Sequence, residues 1–201
     1  MKSTKKNLAV FVSGNGTNLQ AIIDSKIDSA NLAVVVCNNP DAFAIKRARN
    51  SKIPVEIVNH RDYGSREEFE QELIRRLDKY LIDLIVLAGF MRVLTSFFVS
   101  KFKLRIINLH PALLPSFPGM HAARQALDYG VKLTGCTVHF VDDGVDTGPI
   151  ILQSVIEVSD DDNEESLLDK IHKLEHKIYP EAIRLFCEDR LKIEGRRVYT
   201  Y

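Results

Sequence analysis

Five short apolar runs, separated by stretches of helical period, fill the first half of this chain and leave few folds open to it. The runs are NLAVFVS (7–13), NLAVVVC (31–37), PVEIV (54–58), DLIVLAG (83–89) and LRIINL (104–109), rich in β-branched residues and leucine with little polar alternation. Strands of that composition are covered on both faces, the habit of a parallel sheet. The stretches around 17–26, 41–51, 65–80 and 95–102 read as helices, and Ser65 followed by Glu68 forms a capping-box pattern. Such alternation builds a parallel sheet through right-handed crossovers. The expectation is an α/β fold, a mostly parallel twisted sheet with helices on both faces.

The second half changes character. HPALLPSFPG (110–119) holds three prolines and a glycine and reads as an ordered loop. LTGCTVHFV and GPIILQSVIEV, joined by DDGVDTG, read as two longer strands, a hairpin-like antiparallel addition near the C-terminal end. In the segment 163–187, Leu167, Leu168, Ile171, Leu174, Ile178, Ile183 and Phe186 recur at helical spacing. DRLKIEGRRVYTY reads as a terminal strand pair turned at Gly195. No repeat, low-complexity linker or boundary interrupts the chain, so residues 1–201 are expected to form a single domain.

Charge narrows the function. Lys+Arg and Asp+Glu are 27 each, a neutral balance that argues against a nucleic-acid coat or an anionic-membrane binder. Cys37, Cys136 and Cys187 are far apart and odd in number, the pattern of reduced structural thiols. No run approaches a membrane span or a secretory signal, and a cytoplasmic enzyme is expected.

The loop SGNGTN (13–18) follows the first strand and opens a helix, a setting that binds anions through free backbone N–H groups. A P-loop would need a lysine that is not there, and a dinucleotide loop would need a glycine where Leu19 stands and an acid at the end of the second strand. Gly14 and Gly16 let the backbone approach a phosphate closely, and Thr17 and Asn18 can add side-chain donors. Three readings remain, ranked in this order: a single-phosphate site, a plain tight turn, and a dinucleotide cradle.

The chemistry sits later. NLHP places Asn108 and His110 two residues apart at the end of the fifth strand, on one face and at the carboxyl edge where parallel sheets bind ligands. Asp146, in DDGVDTGP, stands in a rigid turn after the next strand. A carboxylate beside histidine favours the imidazolium, and the amide can donate to an oxyanion, a set suited to acyl transfer. No nucleophile elbow is present, so the attacking group is expected to come from the substrate. Taken singly, each residue also fits a loop cap or a turn. His121 and His139 read as supporting imidazoles behind the site or as structural histidines. No ligand spacing supports a metal, and none is expected.

These motifs, FVSGNGTNLQAIID, VVVCNNPDAFAIKRA, DLIVLAGFMRVL, INLHPALLPSFPGMHAARQAL, GCTVHFVDDGVDTGPIILQ and LEHKIYPEAIRLF, closely resemble the phosphoribosylglycinamide formyltransferases, 10-formyltetrahydrofolate-dependent enzymes of purine biosynthesis. The resemblance runs from about Leu8 to the C-terminal residues. It implies a Rossmann-like formyltransferase fold and transfer of a formyl group from 10-formyltetrahydrofolate to glycinamide ribonucleotide. It implies His110 as the catalytic imidazole, Asn108 on the formyl oxygen and Asp146 as the partner of His110. Gly16, Thr17 and Asn18 would hold the substrate phosphate, and Glu175 would meet the glycinamide and ribose. Met91, Arg92, Val93, Leu94 and Val141 would line the folate site together with Asn108, Arg66 and Arg92 would lie near the glutamate tail, and the loop 141–146 would close over the pterin. It also implies a cis peptide at Leu114–Pro115. His172 receives no role.

Related formyltetrahydrofolate hydrolases and methionyl-tRNA formyltransferases carry an added N- or C-terminal domain, for which this chain is expected to have no room. A dinucleotide-binding oxidoreductase or a non-catalytic binding module is the rival from another class. Monomer and homodimer both stay open.

Overall fold

The computed structural model describes residues 5–201, which divide into two compact units, one ending at Ile107 and one spanning Asn108–Tyr201.

In the first unit, strands β1 (Lys6–Val12), β2 (Ala30–Cys37), β3 (Val55–Ile57) and β4 (Leu84–Leu87) are joined by helices α1 (Thr17–Asp24), α2 (Ala44–Asn50) and α3 (Arg66–Leu77), with α4 (Ser96–Lys101) following β4. Strand β1 pairs in parallel with both β2 and β4, and β2 with β3, giving the order β3-β2-β1-β4. Leu8, Ala9, Val10, Phe11 and Val12 are fully buried, as a central parallel strand covered on both faces requires. Ser65 caps α3 by accepting from the Glu68 N–H at 3.1 Å. The Glu68 carboxylate reaches past the cap residue to the Gly64 N–H at 2.9 Å, so the expected capping box forms with its return bond one residue earlier.

Strand β5 (Ile106–His110) straddles the division. In the second unit the order continues β5-β6-β7, through β6 (Leu133–Phe140) and β7 (Ile150–Glu157), which pair antiparallel. The seven strands therefore form a mostly parallel sheet with the expected antiparallel addition, and β8 (Leu191–Glu194) and β9 (Arg197–Thr200) form the expected terminal hairpin, with Gly195 in its turn. The cis peptide lies at Leu114–Pro115.

Two expectations are corrected here. Residues 122–129, not assigned as helix from the sequence, form helix α5 (Ala122–Tyr129). Its buried face is three alanines, Ala122, Ala123 and Ala126, too small to register as a hydrophobic stripe. The apolar stripe of helix α6 (Glu164–Cys187) is also shifted. Leu167, Ile171, Ile178 and Ile183 are buried as expected, whereas Leu168, Leu174 and Phe186 are half-buried and Tyr179, Ala182, Leu185 and Cys187 go inside. All three cysteines are buried, no disulfide joins them among the described residues, and no helix among those residues is long and apolar enough to cross a membrane.

Candidate active site

Strand β5 ends at His110, a residue buried with only 3% of its surface exposed. Its Nδ1 lies 3.2 Å from Asp146 Oδ2 and its Nε2 lies 2.8 Å from the carbonyl oxygen of Phe117. Both ring nitrogens face acceptors, and only the doubly protonated ring can donate to both. The proline-rich loop supplies a contact to each partner: the Phe117 carbonyl holds the ring, and the Gly119 N–H donates to Asp146 Oδ2 at 2.8 Å. Phe117 and Asp146 both sit in the left-handed region, at φ 54° each, a conformation bulky residues rarely adopt.

Burial works to raise the Asp146 pKa, but the His139 ring, the Gly119 N–H and the charge of His110 outweigh it and hold the carboxyl below its ordinary value. Asp146 is thereby kept as a carboxylate. Asn108, two residues before His110 on the same strand, sends its Nδ2 to Asp146 Oδ1 at 3.4 Å and toward His139 Nε2 at 3.4 Å. His139 Nδ1 donates to the Phe140 carbonyl at 2.8 Å, leaving Nε2 turned to this group, 3.5 Å from Asp146 Oδ1. The structure thus brings Asn108, His110, His139 and Asp146 together. His121 does not join them: it is exposed, at φ 60°, and precedes the first turn of α5.

Sequence reasoning misses two residues that brace this loop. Thr137, wholly buried on β6, donates to the Ala112 carbonyl at 2.7 Å and accepts from the Leu114 N–H at 3.0 Å. Gln153, on β7, donates to the Leu114 carbonyl at 2.9 Å and to Thr137 Oγ1 at 3.0 Å. Both look like the polar half of a strand's alternation, and only the position of the loop reveals their use.

The segment 141–148 is pinned at its ends. A Cβ on Gly148 would stand 1.8 Å from the Phe140 carbonyl oxygen, so no other residue fits that approach. Asp142 Oδ1 accepts from the Thr147 hydroxyl at 2.6 Å, while Val141 is half-buried at the start of the segment. Glu175 is buried on α6, and its charge joins burial in pushing the Cys136 thiol up to about 12.

In the first unit, Gly16 precedes α1 at φ 74°, and a Cβ there would stand 2.7 Å from Ala44 Cβ. Gly16 is needed for the close approach of α1 to α2, independently of any ligand. Gly14 has open space around it and no left-handed φ, so the first glycine of the loop has no such steric reason. Among the described residues no side chain caps α1 at Gly16, and Thr17 and Asn18 form its first turn, both half-buried.

Met91–Leu94 is anchored at both ends. The Met91 N–H donates to Ser13 Oγ at 2.8 Å, and the Thr95 N–H donates to the buried Glu70 at 2.7 Å, while the Thr95 hydroxyl binds the other oxygen of Glu70. Met91 and Val93 are exposed by 64% and 57%, while Arg92 and Leu94 are half-buried. A groove of about 280 Å³ runs past Met91 and Arg92 to Ser13, Asn38 and His60. Arg66 is exposed at the start of α3. Among the described residues, no three His, Cys, Asp or Glu side chains cluster as metal ligands would.

Comparison with known proteins places the chain in a family. The formyl transferase family matches residues 6–183. The phosphoribosylglycinamide formyltransferase of Escherichia coli is 44% identical over 191 residues, covering 93% of this chain and 90% of that protein. The trifunctional purine biosynthetic protein adenosine-3 of Drosophila melanogaster is 46% identical over 190 residues, covering 92% of this chain, which spans only 14% of that protein's length. The crystal structure of glycinamide ribonucleotide transformylase 1 from Symbiobacterium toebii superposes with a TM-score of 0.95 at 48% identity, covering 98% of this chain and 94% of that one.

Proposed function

The chain belongs to the formyl transferase family, and from that premise we propose that it transfers a formyl group from 10-formyltetrahydrofolate to the amine of glycinamide ribonucleotide. The observation that carries the reading is the His110–Asp146 contact of 3.2 Å beside the Asn108 amide, with no serine or cysteine in the hydrogen-bonded group among the described residues. An acyl-transfer site without its own nucleophile suits a substrate that brings one.

In this mechanism the substrate amine attacks the formyl carbon and forms a tetrahedral intermediate. The Asn108 amide and the His110 imidazolium face the developing oxyanion, and their charge and dipole are already in place when it forms. Asp146, held ionised, stabilises the imidazolium. A proton passes from the attacking nitrogen to N10 of the folate, and the C–N10 bond breaks to release tetrahydrofolate and the formylated amide. The chemistry asks for no metal.

The remaining roles follow the family resemblance. Gly16, Thr17 and Asn18 bind the substrate phosphate, and the uncapped first turn of α1 supports this. Met91, Val93, Leu94 and Val141 hold the folate rings with Asn108, and Arg66 and Arg92 receive the glutamate carboxylates. The exposure of Met91 and Val93, on a segment tied down at both ends, supports an apolar ligand there. His139 orients Asn108 and Asp146, His121 stands further out, and Glu175 meets the glycinamide end. The chain works as one functional domain in the cytoplasm, as monomer or homodimer.

The test is to mix the protein with both substrates and follow tetrahydrofolate release. Turnover that requires glycinamide ribonucleotide is expected. No turnover above background overturns the reading, and release of formate without the amine substrate replaces it with a hydrolase.

A further inference from the structure

The loop 13–18 carries no lysine or arginine of its own. The fold brings one to it from α2. Arg47 Nε donates to the Asn15 carbonyl at 2.9 Å, one terminal nitrogen donates to Asn15 Oδ1 at 3.3 Å, and the other to Gln20 Oε1 at 3.3 Å. The guanidinium also lies over the Phe43 ring, 4.9 Å from its centroid, which holds it flat against its own helix. The same helix grips the loop at two further points: the Ala44 N–H donates to the Gly14 carbonyl at 3.1 Å, and Ala44 packs against Gly16.

Every acceptor around Arg47 is neutral. It makes no ion pair among the described residues, and the acid nearest in its network, Asp24, is reached only through the Gln20 amide at 2.9 Å. Arg47 is half-buried, so its charge is neither cancelled by a partner nor fully screened by water. A guanidinium hydrogen-bonded to the Asn15 carbonyl fixes that peptide of the loop and sets a positive charge beside the start of α1, where an anion docks.

We propose that Arg47 is a positioning and charge-supplying residue of the phosphate site, selecting a phosphate monoester in its dianionic form. The inference rests on the formyl-transfer reading insofar as it takes the loop 13–18 to hold the substrate phosphate. Arg47 supplies from the neighbouring helix the cation that a P-loop carries within its own sequence.

The experiment compares Arg47→Gln and Arg47→Lys with the wild-type chain. Arg47→Gln is expected to raise KM for glycinamide ribonucleotide about ten- to a hundredfold, as a half-buried positive charge beside the anion is lost and the Asn15 peptide is released. It should leave kcat within about threefold and KM for the folate within about twofold, the signature of lost uniform binding. Arg47→Lys, which keeps the charge but not the fork, should fall between the two. Inorganic phosphate, used as a competitor across the pH range of its monoanion-to-dianion step, should bind the wild type more tightly as the dianion forms, and Arg47→Gln should lose most of that gain. An unchanged KM for glycinamide ribonucleotide in Arg47→Gln overturns the proposal. So does a parallel rise in both KM values with a fall in Tm, which would mark a merely structural role. If Arg47→Gln does not fold, Arg47→Lys decides through the same phosphate profile: retained dianion preference with a raised KM supports the proposal, and wild-type behaviour in both measurements overturns it. Absence of turnover in the wild type sinks the formyl-transfer reading alone, because the phosphate titration reads Arg47 without it.

Discussion

His110 and Phe117 are joined by a 2.8 Å hydrogen bond from the imidazole Nε2 to a backbone carbonyl, and the residue offering that carbonyl is held at φ 54°. A ring donating there has its other nitrogen aimed at Asp146. The proline-rich loop therefore sets which way the imidazole faces and which of its protons is committed.

Asp146→Asn removes the countercharge of that ring. We expect kcat to fall by about two to four orders of magnitude, as does His110→Ala, with both variants folded by circular dichroism. Wild-type kcat in Asp146→Asn would remove Asp146 from the mechanism.

The lowered pKa of Asp146 has a consequence for stability against pH. Its folded value lies below its unfolded value, so its stabilising contribution is fully present above the unfolded pKa of about 3.9 and is lost as pH falls through the folded value. The Tm difference between wild type and Asp146→Asn should shrink as the pH is lowered below about 4. Thermal melts across that range check it. A difference that stays unchanged down to about pH 2 contradicts the assignment.

Gly16 and Gly14 should behave oppositely. Gly16→Ala meets both an unfavourable φ of 74° and Ala44 Cβ at 2.7 Å, and should cost about 1–3 kcal/mol of stability. Gly14→Ala has open space and should stay within about 0.5 kcal/mol. Urea midpoints separate them, and equal losses would refute the steric account.

Thr137→Val keeps the shape but strips the hydroxyl that serves Ala112, Leu114 and Gln153. Leaving those buried groups unpaired should cost about 1–3 kcal/mol and lower kcat, because the loop carrying Phe117 loses its brace. A stability loss with kcat untouched would show that the brace and the imidazole are uncoupled.

Burial raises the thiols of Cys37 and Cys136, the latter to about 12 with help from the Glu175 charge. Native protein at pH 8 should therefore react with a thiol reagent at no measurable rate, while three thiols should titrate after unfolding. Rapid labelling of one native thiol would disprove this.

Much of this architecture is local and therefore legible in the chain. Strands β1 to β5 announce themselves because burial on both faces demands unbroken apolar runs, and Asn108 and His110 share a face because strand geometry repeats every two residues. The antiparallel pair and the long last helix are read from their own periods in the same way. Helix α5 escapes because its buried face is alanine, which packs by being small and contributes little hydrophobic contrast.

What the tertiary structure alone decided concerns partners distant in sequence. Gly16 looks like a ligand glycine, yet its need for a bare Cα comes from Ala44. Arg47 reads as an ordinary charge near the end of a helix until the fold lays it on Asn15, 32 residues away. Thr137 and Gln153 read as a strand's polar face until the loop from Ala112 to Leu114 is set against them. Periodicity records which face of an element is buried, because each element obeys it alone. The identity of the group met across a buried contact depends on how separate elements pack, and no local pattern carries that information.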